Sequence, residues 1–177
     1  YLLLSAHREE NVDSEEHFFS LMNAVNDMAE KYRMPVIYSC HPRSRKRIEE
    51  RRFAFHPLVR ELTPFGFHDY NRLQQSAYCV LSDSGTLSEE SAMLGFAAVL
   101  IRTSTERPEV LDKGSLVIGG VKSRDVEQAL EMAVAMRENG EPRVLAEDYT
   151  DTNVSIKVVK LIQSYAKIVN ETVWHKQ

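Results

Sequence analysis

The sequence predicts an α/β protein built around a parallel sheet with helices on both faces. Short apolar runs alternate with helical patterns along most of the 177 residues. The runs are continuous rather than alternately polar, which is typical of parallel strands covered on both faces. The turn Ser84-Gly85-Thr86, which is small and rich in hydroxyl groups, joins one such strand to a helix. These three observations predict a Rossmann-like domain.

The first half of the chain supplies alternating predicted strands and helices. Apolar residues from Phe18 to Met28 recur at helical spacing, which predicts the longest helix over Ser14–Tyr32. The other elements, in chain order, are the strand Tyr1–Ala6, the strand Pro35–Cys40, the basic helix Pro42–Arg52, the strand Leu58–Leu62 and the helix Tyr70–Ser76.

The second half continues the same alternation. Pro108 favours the first turn of a helix, and Ser123 is a residue type that caps helices. The predicted elements are the strand Tyr78–Ser82, the helix Leu87–Gly95, the strand Ala97–Arg102, the short helix Pro108–Lys113, the strand Ser115–Ile118, the helix Ser123–Arg137 and the terminal helix Val154–Val169.

The last part of the chain differs from the rest. Residues 138–152 are polar, and the helix that follows carries a broad apolar surface. We therefore expect one domain over residues 1–150 and, over 151–177, a terminal helix that packs on a domain outside this chain. The sequence begins inside a strand at Tyr1, without Met, so we expect a fragment of a longer protein.

Composition excludes several classes of protein. The net charge of −4 argues against nucleic acid as a partner. No apolar run approaches the roughly 18 residues that span a bilayer, so no membrane partner is expected.

Cys40 and Cys79 end apolar runs without metal or disulfide spacing, which predicts a cytoplasmic location and no metal. The glycine-rich dinucleotide fingerprint is missing too, so no cofactor is expected. The basic cluster Arg43–Arg47, with Arg51 and Arg52, is interrupted by Glu49 and Glu50 and is interpreted as a solvated helix face.

Chemically useful side chains follow four of the predicted strands. In a parallel sheet the carboxyl ends of the strands meet at one edge, where ligands bind. The side chains in question are His7 and Arg8 after the first strand, His41 after the second, Ser84 after the fourth and Arg107 after the fifth.

The turn Ser84-Gly85-Thr86 predicts a phosphate site. Glycine allows close approach of the backbone, hydroxyls donate to phosphate oxygens, and the helix dipole favours negative charge. An ordinary helix cap at Ser84 or Ser88 is the alternative. Arg107 and Glu90 favour the phosphate site, because they add a fork of donors and a carboxylate placed for ribose hydroxyls.

Each of the other residues also has an ordinary structural interpretation. Arg107 lies between Glu106 and Glu109, so a local ion-pair turn is possible. The segment His7–Asn11 is compatible with a polar turn in which Asn11 or Ser14 caps the next helix. The G-x-S-x-G elbow of hydrolases and the H-E-x-x-H zinc motif are both absent from the sequence.

Four motifs in register resemble the non-hydrolysing UDP-N-acetylglucosamine 2-epimerases. They are His7-Arg8-Glu9-Glu10-Asn11, Ser82-Asp83-Ser84-Gly85, Glu89-Glu90 and Thr105-Glu106-Arg107-Pro108-Glu109. The resemblance implies the second half of a two-domain glycosyltransferase B architecture, a UDP-sugar substrate, a missing amino-terminal domain and a homodimer at full length. It also implies that this fragment alone is inactive, because the family's acid/base carboxylates belong to the missing domain.

The resemblance assigns a role to each matching residue. It places the diphosphate on Ser84, Gly85, Thr86 and Arg107, with Arg8 as a further UDP contact, and the ribose on Glu90. It places the uracil against the segment from Leu62 to Phe65, and His41 on the cleft. His7, near the reacting sugar, is the catalytic residue that the resemblance implies within this chain.

The family chemistry eliminates UDP to give a 2-acetamidoglycal and adds it back with C2 inverted. Glu9 and Thr86 depart from the commonest family pattern. Together with the segments His41-Pro42-Arg43-Ser44-Arg45 and Asp69-Tyr70-Asn71-Arg72-Leu73-Gln74, they resemble the branch that forms UDP-N-acetyl-L-fucosamine from a UDP-2-acetamido-2,6-dideoxy-L-talose. A glycosyltransferase or a hydrolysing epimerase of the same fold, and a nucleotide-binding module without chemistry, are the alternative hypotheses.

Overall fold

The computed structural model describes residues 1–142 and 144–176. A six-stranded sheet has the order β3-β2-β1-β4-β5-β6, and every neighbouring pair is parallel. The predicted Rossmann-like sheet is therefore confirmed. The strands are β1 (Leu2–Ser5), β2 (Val36–Ser39), β3 (Val59–Leu62), β4 (Cys79–Ser82), β5 (Ala98–Leu100) and β6 (Val117–Ile118).

The helices connect these strands in the predicted order. They are α1 (Glu9–Val12), α2 (Glu15–Tyr32), α3 (Pro42–Glu50), α4 (Phe67–Ser76), α5 (Thr86–Leu94), α6 (Pro108–Asp112), α7 (Ser123–Glu138) and α8 (Val154–Thr172), with a 3₁₀ turn at Glu147–Tyr149.

Both faces of the sheet are buried, as continuous apolar strands require. Leu2 and Leu4 point to the face covered by α2 and α7, where they join one core cluster with Phe18 and Leu130. Leu3 points to the opposite face and is equally buried. On that face α5 packs on β5, whereas the outer strand β3 exposes Leu62 at its end.

The packing of α2 on α7 closes the first face. Lys31 of α2 forms ion pairs with Glu127 and Glu131 of α7. At the end of β6 the chain passes so close to this layer that a Cβ on Gly119 would lie 2.5 Å from Val99 Cγ1. Only glycine fits that crossing without a shift of neighbouring atoms.

Of the two candidate caps after His7, Ser14 caps α2 by accepting from His17 N–H, and Asn11 lies in the short helix α1. One local prediction is wrong. Ser123 does not cap α7, because Lys122 is the extended residue before the helix. The Ser123 hydroxyl instead donates to Asp27 of α2.

The basic cluster is less solvated than predicted. Arg43 and Arg47 of α3 form ion pairs with Asp13, next to α1, and Arg51 donates to the Val12 and Asp13 carbonyl oxygens. Three of these guanidinium groups therefore fasten α3 to the turn that carries His7, while Lys46 and Arg52 stay exposed.

The chain divides into two compact units, Tyr1–Leu145 and Ala146–Gln177. Helix α8 belongs to the second unit, and apolar side chains such as Ile156, Leu161 and Tyr165 are exposed along it. Among residues 1–142 and 144–176, no helix has the length and hydropathy needed to cross a membrane.

Candidate functional site

The candidate site lies at the edge of the sheet where the parallel strands end. His7 and Arg8 follow β1, His41 follows β2, Ser84 follows β4 and Arg107 precedes α6. Parallel pairing of β1 with both β2 and β4 brings the first of these loops between the other two. The rings of His7 and His41 are 5.7 Å apart between centroids.

The turn after β4 has the geometry of an open helix amino end. Gly85 is the residue that precedes α5, and no side chain caps the helix there, so neither Ser84 nor Ser88 acts as the cap. The Ser84 N–H donates to Ser82 Oγ at 3.1 Å, and the Leu87 and Ser88 N–H groups bond back to Ser84 and Gly85. That pattern leaves the Gly85 and Thr86 N–H groups at the end of the helix, where an anion is favoured.

The two hydroxyls of the turn bind each other. Ser84 Oγ and Thr86 Oγ1 are 3.0 Å apart, and both side chains are partly or fully exposed. A phosphate oxygen competes with an internal contact of this kind, because each hydroxyl rotates freely to donate elsewhere.

Arg8 lies over Gly85. A Cβ on Gly85 would lie 3.6 Å from Arg8 Nη2, in ordinary contact. The other terminal nitrogen, Nη1, is 4.0 Å from Glu106 Oε1, in an exposed pair that contributes little binding energy. The guanidinium of Arg8 is therefore placed at the same turn as the predicted phosphate site.

Arg107 forms an ion pair with a residue far from it in the chain. Its Nε donates to Glu89 Oε1 of α5 at 2.7 Å, eighteen positions away in the chain. Glu106 turns back to Arg102. The pairing draws Arg107 toward the first turns of α5, beside the hydroxyl-rich turn.

Glu90 is held by helix α4. Gln74 is buried, and its Nε2 donates to Glu90 Oε2 at 2.6 Å. Nearby Tyr70 lies beside the Ser5 and Ser82 hydroxyls, and burial raises its pKa to about 12. The phenol therefore stays neutral across the physiological range and serves as a donor close to Glu90.

Leu62 and Phe65 lie farther along the same edge of the sheet. Leu62 ends β3 and is exposed, and the Phe65 N–H reaches Ser39 Oγ of β2 at 3.4 Å. Strand β3 is two strands away from β1, so these residues form the outer end of the site.

Asp83 organises the centre of the site, although it was not among the predicted site residues. The side chain is fully buried, and it accepts hydrogen bonds from the N–H groups of His7 and Arg8 and from Asn11 Nδ2. The available signal was its position in the Ser82–Gly85 motif, because an acid directly after a buried strand needs donors.

Arg102 is a second residue that the sequence did not indicate. It is 4% exposed, and its guanidinium binds Glu10 of α1 and both oxygens of Glu106. The network joins the His7 turn to the loop that carries Arg107. The Arg102 guanidinium lowers the pKa of Glu106 to about 2.

Because of the ion pair between Arg102 and Glu106, we expect the free energy of unfolding to fall in acid. A carboxylate whose pKa is lower in the folded state stabilises the fold above its unfolded pKa of about 4.3, and the contribution is lost as the pH falls toward 2. In Glu106→Gln we expect a smaller decline of the free energy of unfolding between pH 5 and pH 2, measured by urea denaturation. The exposed control Glu16→Gln should keep the parental decline, and an unchanged decline in Glu106→Gln would contradict the assignment.

The described residues contain no group of three or more His, Cys, Asp or Glu side chains arranged to hold a metal ion. What the site offers is cationic and hydroxyl donors beside a helix amino end. This arrangement suits an anionic ligand with neighbouring hydroxyl groups.

Comparison with known proteins identifies similar chains. The family model described as UDP-N-acetylglucosamine 2-epimerase matches residues 1–163. UDP-N-acetylglucosamine 2-epimerase of Methanococcus maripaludis is 32% identical over 135 residues, which are 74% of this chain and 37% of that protein.

Two solved structures share the fold. UDP-N-acetylglucosamine 2-epimerase from Rickettsia bellii superposes with a TM-score of 0.79 at 34% identity, over 99% of this chain and 47% of that one. The Methanocaldococcus jannaschii enzyme in complex with UDP-GlcNAc and UDP gives a TM-score of 0.80 at 26% identity, over 93% of this chain and 45% of that one. The chain thus spans less than half the length of these relatives.

Proposed function

Because this chain belongs to the UDP-N-acetylglucosamine 2-epimerase family, we propose that it is the UDP-binding domain of a nucleotide-sugar 2-epimerase. The observation that carries the proposal is the meeting of Arg8, Arg107 and the amino end of α5 at one turn. In this proposal Ser84, Gly85 and Thr86 hold the diphosphate.

The remaining contacts follow from the places of the other side chains. Glu90, fixed by Gln74, accepts from the ribose hydroxyls. Leu62 and Phe65, at the outer end of the site, contact the uracil. His7 and His41 lie near the sugar, on the inner side of the same edge.

The reaction needs a site that binds the leaving diphosphate strongly. The C2 proton of an N-acetylhexosamine is not next to a carbonyl, so its direct removal is costly. In the proposed reaction the C1–O bond breaks, UDP leaves with the bonding electrons, and loss of the C2 proton gives a 2-acetamidoglycal. UDP then adds back to C1, and a proton reaches the opposite face of C2. Positive groups aimed at the developing charge lower the barrier to cleavage.

Turnover in this proposal requires an amino-terminal domain that supplies the acid and base carboxylates. Helix α8, with its exposed apolar side chains, is the segment that would pack on it. We expect the 177-residue chain alone to give no epimerisation of a UDP-N-acetylhexosamine. Turnover by the isolated chain, followed by chromatography of the sugar products, would contradict this division of labour.

The enzyme that includes this domain should convert a UDP-N-acetylhexosamine to its C2 epimer and retain the UDP linkage. Free N-acetylmannosamine would instead indicate a hydrolysing enzyme, and UDP with a transferred sugar would indicate a glycosyltransferase. No change to any UDP-amino sugar would favour a binding module without chemistry.

The substrate branch is a separate question. Glu9 and Thr86 favour the UDP-2-acetamido-2,6-dideoxy-L-talose 2-epimerase branch as the second candidate. In the structure Glu9 pairs with Arg43, and Thr86 contacts Ser84 in the diphosphate turn. Offering both sugars to the enzyme and comparing kcat/KM separates the two candidates.

A further inference from the structure

We propose that Asp83 is a positioning residue that keeps the ring proton of His7 on Nδ1, so that Nε2 is the nitrogen that exchanges a proton at the site. The proposal rests on the proposed function for the role of His7, while its structural part is independent of that role. Asp83 is fully buried and follows β4, and His7 follows β1 on the neighbouring strand.

One carboxylate oxygen of Asp83 is occupied by backbone and amide donors. Oδ2 accepts from the N–H groups of His7 and Arg8, each at 2.9 Å, and from Asn11 Nδ2 at 3.1 Å. Asn11 is itself buried and also donates to the Ile101 carbonyl oxygen at 2.9 Å, beyond the end of β5. The carboxylate is therefore fixed from several directions and cannot rotate without breaking these bonds.

The other oxygen faces the histidine ring. Oδ1 is 3.1 Å from the His7 N–H and 3.3 Å from His7 Nδ1. A buried carboxylate oxygen requires donors, and an unprotonated Nδ1 would set a lone pair against it. We therefore place the ring proton on Nδ1, since a carboxylate oxygen 3.3 Å from that nitrogen favours the tautomer that can donate to it.

This arrangement determines what the histidine can do. With the proton held on Nδ1, the neutral ring has its lone pair on Nε2 and accepts a proton there, and the protonated ring donates from the same atom. The His7 side chain is 38% exposed, so it remains accessible to a ligand. The Arg8 N–H is bound by the other carboxylate oxygen, Oδ2, and an Asn side chain at position 83 keeps an oxygen that can accept there.

The direct test is the tautomer of His7 in the chain itself. In protein labelled with ¹⁵N-histidine, with His7 assigned by loss of its signals in His7→Gln, we expect Nδ1 to carry the hydrogen and Nε2 to be bare in the neutral ring. A neutral ring with its hydrogen on Nε2, the form that histidine prefers in water, would overturn the proposal without any variant of Asp83.

Two variants separate positioning from general support of the fold. Asp83→Asn removes the charged acceptor and should shift the neutral ring toward the Nε2–H form. Asn11→Ala removes one donor to the other oxygen of the same carboxylate and should leave the tautomer unchanged, even though it also loosens the turn. If Asn11→Ala shifts the tautomer as far as Asp83→Asn does, the carboxylate has no specific effect on the ring and the proposal fails.

Kinetics of the complete enzyme test the consequence for catalysis. Asp83→Asn should lower kcat about 100-fold, at the low end of the general acid–base range, with KM for the UDP-sugar changed less than about threefold. Because Asp83 acts through His7, the double variant with His7→Gln should be no slower than His7→Gln alone. If the loss of kcat in the double variant equals the product of the losses in the two single variants, Asp83 acts independently of His7 and the proposal fails. Absence of any epimerisation would instead refute the proposed function and leave the tautomer result standing.

Discussion

Replacing Arg107 with Ala is expected to weaken UDP binding to this chain by about 10- to 100-fold. The guanidinium lies beside the amino end of α5, where its Nε donates to Glu89 at 2.7 Å. Hydrogen bonds to a charged group are worth about 1.5–3 kcal/mol, which corresponds to that loss of affinity. Isothermal titration calorimetry with UDP measures the change directly.

Replacing the partner of Arg107 in this ion pair, Glu89, should change UDP affinity in the opposite direction. Glu89 competes with a bound diphosphate for Arg107 and repels its negative charge, so Glu89→Gln should tighten UDP binding several-fold. Arg33→Gln is the matched control for the loss of a positive charge, because Arg33 ends α2 at the opposite edge of the sheet. Unchanged affinity in Arg107→Ala, or weaker binding in Glu89→Gln, would contradict the placement of the diphosphate.

Replacing Gly119 with Val is expected to destabilise the fold by about 3 kcal/mol, near the upper end of the usual cost of overpacking. A Cβ there would lie 2.5 Å from Val99 Cγ1 and 3.2 Å from Ala129 Cβ. Both neighbours belong to the core between the sheet and α7, where side chains cannot easily move. In a chain of this size each kcal/mol lowers the melting temperature by about 2–4 °C.

Gly114 provides the control for the backbone alone. It has a φ of +65° and no atom within 4 Å of a built Cβ, so Gly114→Ala costs only the strain of the left-handed conformation, about 1–2 kcal/mol. Gly119→Ala should fall between the parent and Gly119→Val, because the clash grows with the side chain. If the Gly119→Val protein is at least as stable as the Gly114→Ala protein, Val99 and Ala129 can move to make room for the new side chain, and the prediction is wrong.

The sheet could be predicted from the sequence because its signal is local. Each strand is a short apolar run followed by a helical pattern. Strands that alternate with helices in this way run parallel in one sheet, so the direction of each strand follows from the pattern. The same rule places His7, His41 and Ser84 at one edge without any knowledge of tertiary contacts. The centroid distance of 5.7 Å between the rings of His7 and His41 agrees with that reasoning.

The partners within the site could not be predicted, because they depend on residues far apart in the chain. Asp83 meets the His7 turn across 76 positions, and Arg102 meets Glu10 across 92. Arg107 binds Glu89, eighteen positions away, while its neighbour Glu106 accepts from both terminal nitrogens of Arg102. Local patterns carry no information about these pairings.

The capping of α7 shows the same limit at smaller scale. Ser123 has the residue type of a cap, but its hydroxyl donates to Asp27 on the neighbouring helix α2. The hydroxyl of a serine near a helix start can accept from a backbone N–H of that helix, or it can donate to an acceptor that tertiary packing brings close. The packing of α7 on α2 decided the choice.

We propose that the turn from Ser84 to Ser88, together with Arg107, holds the diphosphate of UDP. The most direct measurement is a titration of the ¹⁵N-labelled chain with UDP, followed through its backbone amide signals. We predict saturable shifts at Gly85, Thr86 and Arg107 and none at Arg33, on the opposite edge of the sheet. Amide signals of the turn and of Arg107 that stay unchanged at millimolar UDP would contradict the claim.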